Sequence, residues 1–525
     1  MRLIYKIYTY LRYFPSGKIK KYFRFNGEEV KESQEAKYHK IYFCPFAPHR
    51  VNIIRESIWA HALRIRGAEV KMISYDLFLP AIDFIAPGVK KDMKVAYRLV
   101  DRLYKLIKLP MLHLSKYDKE IVLSDCSSLS PSEIENLEEN GIKLGDLVIA
   151  STIRYYFCNG PEWDNPVFLE QARKFSASAL HLARVFEKML KEEKPDKLVF
   201  SHGIYVSWGT LFRVARKMGI AVDIYGSSYR KDTLRFYHNS PNAPFPEGEW
   251  DSFREIELSD RQNSELDKYI GSRATQSDDS VSLFDEKTNF PEKIKNFIAR
   301  ANESQGKLFC LFTNISWDAY MFRKESTSFS NMIEWLQDNI AFFTENKTSY
   351  LIIKAHPSEA YFNVPQNYRV SNYTGNLPDN ILFIGESENV KPDILYKYID
   401  AGLIYTSTVS LEMALKNIPV FSAGVGGHYS GKGFTYDPAD RDDYFEKILL
   451  FEKGKFTYKP DMEMARRYMY FRFFREAISN DLIRVEKYIV KDFFFDSLED
   501  LLPGKNRELD IICSGILNDS PFINH

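Results

Sequence analysis

The stretch Asp400–Asp437, DAGLIYTSTVSLEMALKNIPVFSAGVGGHYSGKGFTYD, decides the fold. Gly402-Leu403-Ile404-Tyr405 is a short apolar run of the kind that forms a buried strand. Three hydroxyl residues follow at once: Thr406, Ser407 and Thr408. Val409, Leu411, Met413, Ala414 and Leu415 then recur with helical spacing, and Asn417 with Pro419 ends that helix. Pro419 to Phe421 reads as a second buried strand. It runs into a loop with glycines at 424, 426, 427, 431 and 433. Strand, polar turn, helix, strand and polar loop is the unit of a parallel α/β sheet. Ligands of such sheets bind beyond the carboxyl ends of the strands, where both polar loops lie.

Working outward, the same pattern recurs. Lys307 to Phe312 is a strand that leads into Thr313-Asn314-Ile315-Ser316-Trp317-Asp318. A helix is expected from about Phe329 to Phe343. Tyr350 to Ile353 is a strand leading into Lys354-Ala355-His356-Pro357, and Asn380 to Ile384 is another. Four strands should therefore deliver four polar clusters to one rim. The first half repeats the plan. A strand at Lys40 to Cys44, a helix at Asn52 to Arg66 closed by Gly67, and a strand at Ala68 to Ile73 make one βαβ unit. A long helix from Phe168 to Glu193 precedes a strand at Lys197 to Phe200. That strand ends in Ser201-His202-Gly203, followed by a helix at Gly209 to Met218 and a strand at Ile220 to Tyr225. Residues 90–150 read as mostly helical, with a strand near Ile121. The expected plan is α/β, with two Rossmann-like doubly wound domains. It gives a basic aromatic arm at 1–38, an N-terminal domain at 39–240 and a polar linker at 241–300. A C-terminal domain at 301–455 follows, then a helical region at 456–525 that crosses back.

A chain of 525 residues is too long for one ordinary core. Its 71 basic and 71 acidic residues cancel, so nothing global points to nucleic acid. The five cysteines are scattered, with no C-x-x-C pair, which favours reduced thiols in the cytoplasm over a zinc site. No run of about 18 apolar residues offers a membrane span. Residues 1–24 carry seven Lys or Arg and no acid, and Leu3, Ile4, Ile7, Tyr8 and Leu11 share a helical face. Two placements stay open for this arm: an interfacial helix on the inner face of an anionic membrane, or a helix packed on the protein's own body.

The residue types suit a phosphorylated ligand. Hydroxyls and backbone N–H groups from Thr406 to Ser410 favour phosphate, and Glu412 could accept paired hydrogen bonds from a ribose. Helix capping would equally explain both. His356 is presented by a turn that Pro357 stiffens, and Lys354 could offset diphosphate charge. Asn314, Asp318, Gly424, His428, Tyr429 and Lys432 are the remaining donor-site candidates. In the first half, His202 and His49 lie at strand ends as candidate general bases for an acceptor hydroxyl, with Glu56 and Asp76 as carboxylate alternatives. Polar residues that merely tie down loops occupy the same positions. No P-loop and no G-x-G-x-x-G fingerprint is present, which disfavours a kinase or dehydrogenase, and no element demands a metal.

These residues carry a resemblance. Thr406 to Glu412, Ile418 to Phe421 and Gly427 to Pro438, with Phe312 to Asp318, Lys354 to Pro357 and Ser201 to Gly203, resemble the capsular polysaccharide biosynthesis glycosyltransferases. The Kdo transferases of capsule assembly belong to that family. The resemblance spans about residues 40–75 and 195–450 and is more specific in the second half. It implies the GT-B plan, with two domains facing across a cleft and a nucleotide-sugar donor, CMP- or UDP-linked, in the C-terminal one. It also implies no cofactor and no obligatory metal. His356, Ser407, Thr408 and Glu412 would then be donor-site residues, and Ser410 stands where glycine is often found. The implied function is transfer of a sugar to a growing surface glycan or lipid-linked acceptor. Alternatives are a teichoic-acid-type polyol-phosphate transferase, a nucleotide-sugar epimerase of the same fold, and a non-catalytic scaffold of capsule assembly.

Overall fold

The computed structural model describes residues 36–46, 50–83, 93–241, 245–273, 276–280, 283–284, 290–317, 328–423, 429–486 and 489–524. The arm at 1–24, His49, Asp318, Gly424 and His428 lie outside the described residues. The chain forms two compact units. One holds the described residues up to Tyr155, then those of Pro161–Pro244 and those from Arg475 onward; the other holds Tyr156–Gly160 and Phe245–Phe474.

In the first unit, β1 (Lys40–Phe43), β2 (Glu69–Ser74), β3 (Met111–His113), β4 (Lys197–Ser201) and β5 (Ala221–Ser227) are parallel in the order β5-β4-β1-β2-β3. β6 (Thr233–His238) joins β5 antiparallel. The helix α1 (Arg50–Ile65) connects β1 to β2. Gly67 closes it at φ +90°, a value L side chains avoid, while its N–H bonds the Arg64 carbonyl at 3.0 Å. The expected inward residues Ile53, Ile54, Ile58, Trp59, Ala62 and Leu63 are all buried. Residues 90–150 differ from expectation. The helix α2 (Met93–Ile107) is followed by β3, and Ile121 is in irregular chain beside exposed Val122. The long helix α3 (Pro166–Glu193) starts at Asn165, whose side chain accepts from the Val167 N–H, and stops at Lys194 in the left-handed region before Pro195. The helix α4 (Thr210–Lys217) links β4 to β5.

α1 also buries a charge-bearing side chain. Glu56 is 1% exposed, and its Oε1 accepts from the Tyr225 hydroxyl. Burial pushes its carboxyl up to about 8 against the opposing pull of that bond. From about pH 4.5 to 8 the folded chain keeps a proton that the unfolded chain releases, so stability is greatest below that window and falls as pH rises through it. Glu56→Gln removes the titration. Urea melts should show the variant gaining about 1–3 kcal/mol over wild type at pH 9 relative to pH 5. Parallel stability–pH slopes for the two proteins would contradict this.

In the second unit, β7 (Leu308–Phe312), β8 (Tyr350–Lys354), β9 (Ile381–Ile384), β10 (Ala401–Ile404) and β11 (Val420–Ser422) form an all-parallel sheet in the order β9-β8-β7-β10-β11. Its strands are apolar on both sides because helices cover both faces. Phe309, Leu311, Leu351 and Leu403 meet Trp335 and Phe343 on one side; Cys310, Ile352 and Ile404 meet Ile294, Phe297 and Met413 on the other. A Cβ at Gly402 would overlap the Met413 thioether, so glycine lets the helix α5 (Val409–Ala414) lie close on its strand. Residues 245–273, whose polarity suggests a linker, are two helices of this unit, Glu247–Phe253 and Asp260–Arg273. Trp250 and Phe253 pack on Tyr468, Tyr470 and Phe471 of the segment after Asp461, and Arg466 bonds Asn263 and Asp267. That segment is helical from Met462 to Tyr470 and continues as a π-turn over Phe471–Arg475, then turns into short strands rather than staying helical throughout. One of them, Ile478–Ser479, extends the first unit's sheet beside β6. The last helix, Arg507–Asn518, seals α1 with Leu509, Ile512 and Ile516.

Candidate functional site

β8, β7 and β10 are neighbours, and their registers put Lys354, Phe312 and Ile404 level with one another. The residues just beyond therefore share one edge. Two of them fasten it. The Thr313 N–H donates to the Lys354 carbonyl at 3.2 Å, and its hydroxyl accepts from the His356 N–H at 3.0 Å. The Asn314 side chain bonds both backbone groups of Thr406. The expected convergence of polar clusters is thus present for three adjacent strands.

His356 is held by its own turn. Its Nδ1 accepts from the Ser358 N–H at 3.2 Å. Burial, and then the charge of Lys354, push its pKa down to about 4, although the ring keeps some solvent contact. The imidazole is neutral at pH 7, with Nδ1 an acceptor, so its proton sits on Nε2 and points a donor away from the turn. Lys354 is 3% exposed. Its ammonium donates to the Ala355 carbonyl at 2.9 Å and forms no ion pair among the described residues. Burial pushes it down to about 8. The nearest carboxylates are otherwise engaged: Glu386 with Arg369, Glu388 with Lys293 and Glu359 with the Val370 N–H. A buried cation that meets no anion among the described residues is desolvated without a countercharge from them.

The hydroxyl turn is locally satisfied in part. Ser407 Oγ accepts from the Val409 N–H at 3.3 Å, and the buried Ser410 hydroxyl donates back to the Ser407 carbonyl at 2.7 Å. Thr408 makes no side-chain cap on α5. Glu412 departs from expectation. Its Oε1 pairs with Arg273 and its Oε2 accepts from the Tyr396 hydroxyl at 2.9 Å. Arg273 in turn binds Asp279 at 3.0 Å. Glu412 is therefore a cluster member, with one lone pair per oxygen left for a ribose. Lys432 and Tyr429 also point elsewhere. The Lys432 ammonium pairs with Glu247 at 2.9 Å and lies 4.2 Å from the Phe245 ring, while Tyr429 packs toward Tyr468. Both belong to the aromatic cluster of residues 245–253 and 468–471.

In the first unit, β4 ends in a strained segment. His202 is exposed at φ +62° and Tyr205 sits at φ +67°, and a π-turn spans Tyr205–Gly209. Two non-glycine residues in this region within four positions are a cost that persists only where surroundings enforce it. The enforcement is visible. A Cβ on Gly203 would overlap Pro241, the Val206 N–H donates to Ser151 Oγ at 2.8 Å, and the Ser207 N–H donates to buried Asp83 at 2.6 Å. The His202 ring meets Trp208 edge-on at 5.6 Å. Glu56 is sealed in the core and cannot serve an external hydroxyl. Asp76, the other carboxylate candidate, lies beyond β2 and accepts from the Ser115 N–H, the Ser115 hydroxyl and His113. His113 escapes the sequence pattern because its strand is only three residues long.

Among the described residues, one cluster, Asp223, His238 and Asp519, brings donor atoms close enough for a cation. The Lys197 ammonium already lies there, 3.0 Å from Asp223 and 2.6 Å from Asp519. All five cysteines are buried and none forms a disulfide. No described helix is long and apolar enough to cross a membrane.

No protein-family model matches the sequence, and no curated protein sequence matches it. Among solved structures, the chain is similar to the beta Kdo 2,4 transferase of KpsC from Thermosulfurimonas dismutans. That match is 12% identical, covers 53% of this chain and 80% of that one, and has a TM-score of 0.34. The beta Kdo 2,7 transferase of the same protein is 12% identical over 63% and 89%, with a TM-score of 0.32. The UDP-GlcNAc 2-epimerase of Neisseria meningitidis, bound to UDP-GlcNAc, is 10% identical over 82% and 94%, with a TM-score of 0.24.

Proposed function

We propose that the chain is a glycosyltransferase that moves a sugar from a nucleotide-activated donor to a growing surface glycan or lipid-linked acceptor. The observation that carries this is Lys354, a buried ammonium with no carboxylate partner among the described residues, at a rim sewn together from three neighbouring strand ends. A donor diphosphate, or the phosphate of a CMP-sugar, supplies the missing anion. The His356 Nε2–H and the Thr406–Thr408 turn offer neutral donors to the same group. In this reading they stabilise the charge that grows on the departing nucleotide. The motifs shared with capsule glycosyltransferases favour the same ligand. The second unit would hold the donor and the first the acceptor. Metal plays no part in the proposal, because Lys354 supplies the countercharge. A cytoplasmic location, with the basic arm at the inner face of the membrane, fits a nucleotide-sugar substrate.

The test is a thermal-shift screen with CMP-, UDP-, GDP- and CDP-linked sugars, since a ligand that binds only the folded state raises its stability. One class should raise the melting temperature, and His356→Ala should weaken its binding about tenfold in calorimetry, the loss of one hydrogen bond to a charged group. No shift with any donor would sink the proposal. Transfer to an acceptor then separates a transferase from an epimerase, which interconverts sugars with no acceptor present. Binding without turnover would indicate the scaffold.

A further inference from the structure

Glu412 lies in the first turn of α5, which begins just after the rim residue Thr406. Its carboxylate is held at both oxygens. Oε1 pairs with Arg273, and Oε2 accepts from the Tyr396 hydroxyl at 2.9 Å. Arg273 is itself braced. Its Nη1 donates to both oxygens of Asp279, each at 3.0 Å, and Asp279 accepts from the Tyr269 hydroxyl at 2.6 Å. Asp279, Tyr269 and Tyr396 are buried, and all five residues belong to the second unit. Burial alone would lower the Arg273 pKa; Glu412, Tyr269 and Asp279 outweigh it, so the guanidinium stays charged. Asp279 holds one terminal nitrogen while the other faces Glu412, so the guanidinium plane is fixed and cannot swing aside. Each Glu412 oxygen keeps one lone pair for a ligand, and the side chain retains 17% exposure. One guanidinium between two carboxylates leaves the cluster with an excess of negative charge. Such a cluster repels phosphate and suits hydroxyl donors.

We infer that Arg273, braced by Asp279, is a positioning residue of the donor site: it holds Glu412 in the orientation that meets both hydroxyls of a ribose, and so makes the site select ribonucleotides over 2′-deoxyribonucleotides. This rests on the donor-site reading, in which the nucleotide phosphate lies at Lys354 and its ribose at Glu412. A 2′-deoxy ligand leaves one Glu412 oxygen without its hydroxyl, and a site built to bond a hydroxyl rejects the analogue that lacks it. The segment that carries Arg273, polar enough to suggest a linker, then serves the donor site from outside the α/β sheet. The competing role for the cluster is a staple, in which the ion pair only fastens the helix Asp260–Arg273 to α5. A staple has no effect on the choice between the two sugars.

Calorimetry on the full chain separates the two, with CMP, UDP, GDP and CDP each compared with its 2′-deoxy counterpart. Wild type should bind its preferred ribonucleotide about tenfold or more tighter than the deoxy form, the size of one hydrogen bond to a charged group. Arg273→Lys keeps the charge but loses the planar fork. It should bring the ratio to within about threefold of one, with little change in affinity for the deoxy form. Asp279→Asn leaves Arg273 in place and loosens its brace, and it should shift the ratio the same way. This second variant keeps the test open if Arg273→Lys fails to fold. Equal wild-type binding of the two sugars overturns the role of Arg273 while leaving the donor site standing. So does a wild-type ratio in whichever variants fold, even if their affinity for both sugars drops together, which is the outcome of a staple. No binding of any nucleotide by wild type overturns both.

Discussion

Replacing Lys354 by methionine is expected to weaken nucleotide-sugar binding by about 100-fold or more, while the protein melts at the same temperature as wild type or higher. The two halves of this result have one cause. Lys354 is buried, its ammonium bonds only the adjacent Ala355 carbonyl, and no described carboxylate pairs with it. Removing one partner of a desolvated charge pair in a complex costs about 2–5 kcal/mol. Among the described residues of the free protein there is no pair to lose, and methionine fills the same buried space without a charge to desolvate. The affinity of wild type should also depend on pH in one direction. Burial sets the ammonium at about 8 in the free protein, and a bound phosphate raises it. Below pH 8 the group is protonated in both states, and affinity is flat. Above pH 8 the complex takes up a proton that the free protein has lost, so affinity falls by up to about tenfold per pH unit. Calorimetry in buffers of different ionisation enthalpy reads this uptake directly. A methionine variant that binds as wild type does, or affinity that is level from pH 7 to 9.5, would remove Lys354 from the donor site.

The sequence makes Lys354 and the rim visible because parallel strands are buried on both faces and release polar residues only at their ends. The same signal locates Thr313, Asn314, His356 and Thr406. It fails where a side chain's partner is remote in sequence. Glu412 looks free until Arg273 arrives from a segment that reads as linker, and Lys432 looks like a loop tip until Glu247 meets it. The helices at 247–253 and 260–273 were hidden for a related reason. Few of their residues are buried, and three of those few, Trp250, Phe253 and Tyr269, pack on aromatics some 200 positions later in the chain. His113 was hidden because three residues are too few to show alternation. Strain at His202 and Tyr205 is likewise a property of backbone angles, to which Gly203 is the one sequence clue.

Lys197→Met should destabilise the first unit by about 3 kcal/mol or more, the largest stability effect expected of a single side chain in this unit. Lys197 and Asp223 are 0% exposed, and they are 3.0 Å apart at the base of adjacent strands. The ammonium also bonds Asp519, just after the last helix, and lies 4.2 Å from the Tyr38 ring. One cation thus joins a strand core, the chain entering β1 and the end of the chain. Burial opposes charge on Asp519, but Lys197, Lys37 and Tyr38 hold its carboxyl well below the usual range, so Asp519 stays ionised at neutral pH. Methionine matches the length of the lysine stem but leaves Asp223 with only His238, at 2.7 Å. Burial alone would lower the His238 pKa; its bond to and the charge of Asp223, with the Ser520 carbonyl, outweigh this and raise it. The variant should therefore lose further stability as pH rises and His238 gives up its proton. The double variant Lys197→Met with Asp223→Asn removes the stranded charge and should recover at least half of the loss. A lost packing contact would not be recovered this way. Urea melts of the three proteins at pH 6 and 8.5 distinguish the cases, and a single-variant cost under 1 kcal/mol would show that water or the exposed tail compensates Asp223 without Lys197.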